Sequence, residues 1–149
     1  MLVYKKGDIL KAEENVICHQ VNVQGVMGGG LAKQVASAYP NVYEKYKNYC
    51  SLLSNDYELL GHDYIPVKAK ENQFIANCFT QKPNFDTDYD AIINCFSALM
   101  NACKISNRTI AVPYKYGCGI AHGDWNIVSQ IFERLSNEIG VDIVIYQYC

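Results

Sequence analysis

Two glycine-rich turns carry the strongest chemical signal in the chain. One reads Gly25-Val26-Met27-Gly28-Gly29-Gly30 and opens directly into a helical stretch. The other reads Tyr116-Gly117-Cys118-Gly119-Ile120 and follows a short apolar run at 109–112. Lacking a Cβ, a glycine backbone approaches a ligand closely and can turn its N–H groups toward one point. At the mouth of a helix those donors add to the positive end of the helix dipole, which makes an anion site. Two such loops facing one another would clamp a diphosphate from both sides. Taken singly, each reads equally well as an ordinary tight turn.

Several polar residues stand close to these turns in sequence. His19 follows the apolar run Val16-Ile17-Cys18, and an imidazole there could donate to a phosphate or act as a general acid. The alternative is a histidine at the core edge, bonded to backbone. Asn22 offers a donor and an acceptor suited to a ligand hydroxyl, or it forms a turn. His122 and Asp124 sit just past the second loop and together could position a water. Asp124 reads somewhat better as the N-cap of the helix that begins at Trp125. Asp8 is either an acceptor for an amino group or a turn cap. Nothing marks His62 out. No base accompanies Cys118, so it is a backbone contributor and not a nucleophile.

The elements that must hold these residues alternate between strands and helices. Short β-like runs fall at 2–4, 16–18, 64–67, 74–79, 109–112 and 143–146. Helical patterns occupy 30–39, 42–53, 89–104 and 125–139, with Ile92, Cys95, Phe96, Leu99 and Met100 on one stripe and Ile127, Ile131, Leu135 and Ile139 on another. Such alternation implies a layered α/β domain with a largely parallel sheet, in which ligands bind beyond the carboxyl ends of the strands. Both glycine turns fall at that end, so they are expected to be neighbours in space.

Composition bounds the rest. The 149 residues fit one domain spanning 1–149, and 50% hydrophobic with 19% charged residues is ordinary globular material. A net charge of −2 argues against a protein that binds nucleic acid by bulk electrostatics. The seven cysteines are scattered, with no C-x-x-C pair for a zinc ribbon or a thioredoxin-like motif. No His/Asp/Glu cluster calls for a metal, and no cofactor is implied. With neither a signal peptide nor a membrane-length apolar run, a reducing cytoplasmic setting without membrane association is expected. The oligomeric state is left open.

In order and spacing the motifs resemble the macro domain family. The resemblance runs from Tyr4-Lys5-Lys6-Gly7-Asp8-Ile9-Leu10 through Ile17-Cys18-His19-Gln20-Val21-Asn22 and the first glycine turn with Leu31-Ala32. It continues through Tyr116-Gly117-Cys118-Gly119 to Val144-Ile145-Tyr146. It is nearest the subgroup of ADP-ribose-1″-phosphate phosphatases and terminal ADP-ribose glycohydrolases. It implies a three-layer α/β/α sandwich with a mixed, largely parallel sheet. The implied ligand is ADP-ribose or a derivative, with ADP-ribosylated protein or DNA as possible partners. By this likeness Asp8 and Ile9 meet the adenine edge and Tyr146 covers its ring. Gly28, Gly29, Gly30, Leu31, Gly117, Cys118, Gly119 and Ile120 surround the phosphates. His19, Asn22, His122 and Asp124 serve the reacting end.

The expected activity is hydrolysis of ADP-ribose 1″-phosphate or a related ADP-ribosyl ester. Two alternatives are a reader that only binds, and a glycohydrolase that removes ADP-ribose from protein or DNA. Two departures oppose the last. The lysine that follows a threonine in those enzymes is Gln81 here, with Lys82 one step further on and able to substitute if the register shifts, and their aspartate two residues after Gly-Cys-Gly is Ala121.

Overall fold

The computed structural model describes residues 1–27, 29–52, 60, 64–119 and 121–148, and at residues 64 and 65 only the backbone. The sequence folds into six strands, β1 (Leu2–Lys6), β2 (Val16–Val21), β3 (Tyr64–Lys70), β4 (Gln73–Phe79), β5 (Ile110–Pro113) and β6 (Ile143–Gln147). Its helices, among the described residues, are α1 (Gly30–Ala38), α2 (Pro40–Ser51), α3 (Tyr89–Ser106) and α4 (Trp125–Ile139), with a short 3-10 turn at Ile9–Lys11. The sheet order is β1-β6-β5-β2-β4-β3. All neighbouring strands are parallel except the β3–β4 hairpin. This is the expected mixed, largely parallel sheet.

Local chemistry accounts for the boundaries. β2 lies at the centre with Val16, Ile17, Cys18, His19 and Val21 all buried, as a strand covered on both faces should be. The edge strands carry Lys5 and Lys6 on one side and Pro66, Lys68 and Lys70 on the other, which discourages further strand pairing. Asp88 and Asp124 cap α3 and α4, accepting from the N–H groups of Ala91 and Asn126 at 2.9 Å each. Pro40 forces Tyr39 out of helical geometry (φ −134°, ψ 78°), dividing α1 from α2.

Helices α3 and α4 pack on one face through Cys95, Phe96, Leu99, Val128, Phe132 and Leu135. The α4 stripe keeps Ile131 and Leu135 buried as expected and adds Val128 and Phe132, while Ile127 is 42% exposed. α1 and α2 cover the other face through Val35, Val42 and Tyr46. The chain leaving β2 crosses one face and the chain leaving β5 the other. β2 and β5 are neighbours, so a crevice opens between their carboxyl ends. None of the described helices is long and apolar enough to cross a membrane.

Candidate functional site

The crevice holds two chambers that share a wall. The proximal chamber, about 600 Å³, is lined by Gly7, Asp8, Ile9, Tyr146 and Tyr148 among others. The distal chamber, about 460 Å³, is lined by Gln20, Asn22, Val26, Gly29, Gln81, Phe85, Gly117, Gly119 and Ala121 among others. Gly30, Leu31, Pro113, Tyr114 and Lys115 line both, making one continuous cleft. The two glycine turns meet here, as their positions after β2 and β5 require.

At the proximal end the Asp8 carboxylate accepts from Leu10 N–H at 2.9 Å, which fixes the turn and leaves its second oxygen for other donors. Tyr146 stands beside it, its phenol donating to Glu14 Oε1 at 2.6 Å. Glu14 is in turn 3.5 Å from the Lys5 ammonium. Burial and the adjoining carboxylate push the phenol up to about 12, so it stays a protonated donor that holds the ring in place. Sequence reasoning missed Glu14, and nothing in its local pattern distinguishes it from a surface glutamate.

Between the chambers lies the N-terminus of α1. Its first N–H groups have no intrahelical partner, and Gly29 supplies no side chain to cap them. Gly30 has φ +58°, a conformation glycine adopts without steric cost. The preceding loop is held by Asn22, whose Oδ1 accepts from Gln24 N–H at 3.0 Å and Val26 N–H at 3.3 Å. Its Nδ2 donates to Val26 O at 2.7 Å. The buried Tyr46 phenol sits 2.6 Å from the same Oδ1. The Asn22 side chain therefore works as the turn former that the residue type also allowed, and its amide is engaged with the loop.

Corrections fall on the other polar candidates. His19 does not reach the cleft. It is 1% exposed on the α1/α2 side of the sheet, and its Nε2 donates to Asn77 Oδ1 at 2.6 Å. Burial holds its imidazole down at about 4, so it is neutral at ordinary pH and lacks the imidazolium proton a general acid would deliver. His122 lies on the surface at φ +61° and donates from Nδ1 to Asp86 Oδ1 at 3.0 Å, so it does not form the expected pair with Asp124. Asp124 is the cap of α4. The N–H of Cys118 donates to Lys115 O at 2.9 Å, so it is not offered to a phosphate, and burial pushes the thiol up. Gly28, Ile120 and His62 lie outside the described residues. Gln81 lines the distal chamber and Lys82 does not.

The floor of the distal chamber is a hydrogen-bonded network that sequence reading missed. Gln20 Nε2 donates to Thr80 O at 3.2 Å and to Thr87 Oγ1 at 3.0 Å. Thr87 Oγ1 donates to Gly117 O at 2.6 Å, tying the second glycine turn to the segment that leads into α3. Gly117 has φ +70°, and a Cβ there would lie 2.8 Å from Thr87 Oγ1. Alternation along β2 puts Gln20 on the face opposite His19. The one available signal was a second polar residue, next to His19, near the end of a mostly apolar strand.

No protein-family model matches the sequence. An uncharacterized 17.5 kDa protein from the tk-vs intergenic region of Enterobacteria phage T4 is 32% identical over 148 residues, spanning 95% of this chain and 94% of that one. The ADP-ribose 1″-phosphate phosphatase of Scheffersomyces stipitis is 25% identical over 175 aligned positions, spanning 97% of this chain and all of that protein. The macrodomain of Mycobacterium tuberculosis DarG superposes with a TM-score of 0.83 at 27% identity, covering 98% of this chain and 97% of that one. With sequence and fold aligned along nearly the whole chain, and with a two-chamber cleft at the β2/β5 crevice, the protein belongs to the macro domain family.

Proposed function

We propose that the cleft binds ADP-ribose and that the protein hydrolyses a derivative carrying a group on the distal ribose, ADP-ribose 1″-phosphate being the first candidate. The observation that carries this reading is the uncapped N-terminus of α1 on the wall between two chambers, one of which presents a carboxylate and an aromatic ring. Asp8 accepts from the adenine amine, Ile9 N–H serves the neighbouring ring nitrogen, and the Tyr146 ring packs on the base. The diphosphate lies against the first N–H groups of α1, beside Lys115, with Gly117 and Gly119 opposite. The distal ribose and its substituent then occupy the second chamber. Whole-length likeness to a protein named as an ADP-ribose 1″-phosphate phosphatase supports the choice of substrate.

The hydrolysis is written as water adding to phosphorus while the bond to the ribose 1″ oxygen breaks, giving ADP-ribose and inorganic phosphate. Aligned N–H donors stabilise the charge on the phosphoryl oxygens. Binding without turnover is the second reading. It is favoured by one observation: among the described residues, no His, Asp or Glu lines the distal chamber. The test is release of inorganic phosphate from ADP-ribose 1″-phosphate, run beside calorimetric titration with ADP-ribose. Release with saturable binding supports the phosphatase, and binding without release supports the reader. No binding refutes the ADP-ribose cleft itself.

A further inference from the structure

The distal chamber needs something to aim the attacking water, and its side chains can be taken in turn. Asn22 is engaged with its own loop. The Tyr116 phenol is buried within 2.6 Å of Thr80 Oγ1. Tyr114 and Lys115 belong to the wall shared with the proximal chamber, where the diphosphate would pass. Gln20 and Gln81 remain.

Their amides are ordered by a chain of donors and acceptors. Thr80 O is a carbonyl and can only accept, so the group that meets it at 3.2 Å must be the Gln20 NH₂. That orientation turns Gln20 Oε1 toward Gln81, where it accepts from Gln81 Nε2 at 3.4 Å. The Gln81 carbonyl oxygen is thereby the free end, and it takes no hydrogen bond among the described residues. The Gln81 backbone is pinned as well, through a bridge to Thr87. A fixed acceptor with no partner on the lining of the reacting chamber is the arrangement that orients a water molecule.

We propose that Gln81 is a catalytic residue that holds the nucleophilic water through its Oε1, and that Gln20 is a positioning residue whose effect on that water runs through Gln81, apart from its separate bond to Thr87 beneath the second glycine turn. The assignment rests on the hydrolase reading above. An amide cannot take up a proton. The water oxygen bonds to phosphorus, its proton passes to a phosphoryl oxygen and from there to the departing 1″ oxygen, which keeps the electron pair of the broken bond and becomes the anomeric hydroxyl. Gln81 fixes the direction of attack and nothing more.

The experiment is steady-state phosphate release from ADP-ribose 1″-phosphate by the unaltered chain, Gln81→Met, Gln20→Met and the double variant, with the ADP-ribose Kd of each from calorimetry. Methionine keeps the length of glutamine and removes the amide. Gln81→Met is expected to lower kcat about 10²-fold, the scale of losing one aligned polar group at a reacting centre, with KM and Kd little changed. Gln20→Met should lower kcat by less, and the double variant should be no slower than Gln81→Met alone. A raised KM at unchanged kcat, or losses that multiply in the double variant, overturns the assignment. So does a weakened ADP-ribose Kd in Gln81→Met. Turnover left intact by Gln81→Met overturns this assignment alone, whereas an unaltered protein that binds ADP-ribose without releasing phosphate refutes the hydrolase reading and takes the assignment with it.

Discussion

Replacing Gly117 by alanine tests how the second glycine turn is held. At φ +70° an alanine costs about 1–2 kcal/mol in backbone strain. The new Cβ would also stand 2.8 Å from Thr87 Oγ1 and 3.0 Å from Gln20 Nε2. Both atoms are hydrogen-bonded, so relief requires Thr87 to release Gly117 O or Gln20 to release Thr87. One or two lost bonds add roughly 0.5–1.5 kcal/mol each. The total of about 1.5–5 kcal/mol corresponds to a drop in Tm of roughly 3–20 °C for a chain of this size. Thermal melts followed by circular dichroism, with urea titration at 25 °C, read it directly. Gly119→Ala is the internal control, because its Cβ meets nothing within 4 Å. It should stay within about 0.5 kcal/mol of the unaltered protein. Equal stability of the two variants would refute the view that the Gln20–Thr87–Gly117 network fixes the turn.

Other consequences can be checked with the same preparations. Tyr46→Phe removes the phenol that meets Asn22 and should cost about 1–3 kcal/mol in urea unfolding, with a weaker ADP-ribose Kd because the loop is loosened. Asp8→Ala should weaken ADP-ribose about tenfold and abolish discrimination against the hypoxanthine analogue, which lacks the amino donor; unchanged discrimination in calorimetry would remove Asp8 from the adenine site. His19 predicts a pH dependence. Its folded value of about 4 lies below the ordinary 6.5, so the unfolded chain binds more protons in that window. The stability due to neutral His19 is therefore full above about pH 6.5 and is lost as pH falls toward 4, by up to about 3 kcal/mol. Urea midpoints from pH 4.5 to 7.5 should fall more steeply with acid in the unaltered protein than in His19→Gln, and parallel curves would contradict the assignment.

Much of the architecture was legible in the sequence because it is encoded locally. Apolar runs of strand length, helical stripes and the Asp124 cap all act within a few residues. The adjacency of the two glycine turns was also readable, since both follow strands that a parallel sheet gathers at one end. The direction of side chains from β2 was not. In a central strand buried on both faces, alternation carries no mark of which face meets ligand and which meets core. His19 consequently reads as a candidate acid, whereas the fold seals it against Asn77.

The sequence by itself determined the kind of sheet and the two turns with their freedom from Cβ. These depend on residue type and on neighbours along the chain. Only the tertiary structure decided that Asn22 and Cys118 N–H are engaged within their loops, that His122 pairs with Asp86, and that Gln20 orders the Gln81 amide. Each of those outcomes is a hydrogen bond whose geometry is set by the packing of strands and turns around it. A donor or acceptor has no fixed role until the fold shows which partner stands within three or so ångströms of it.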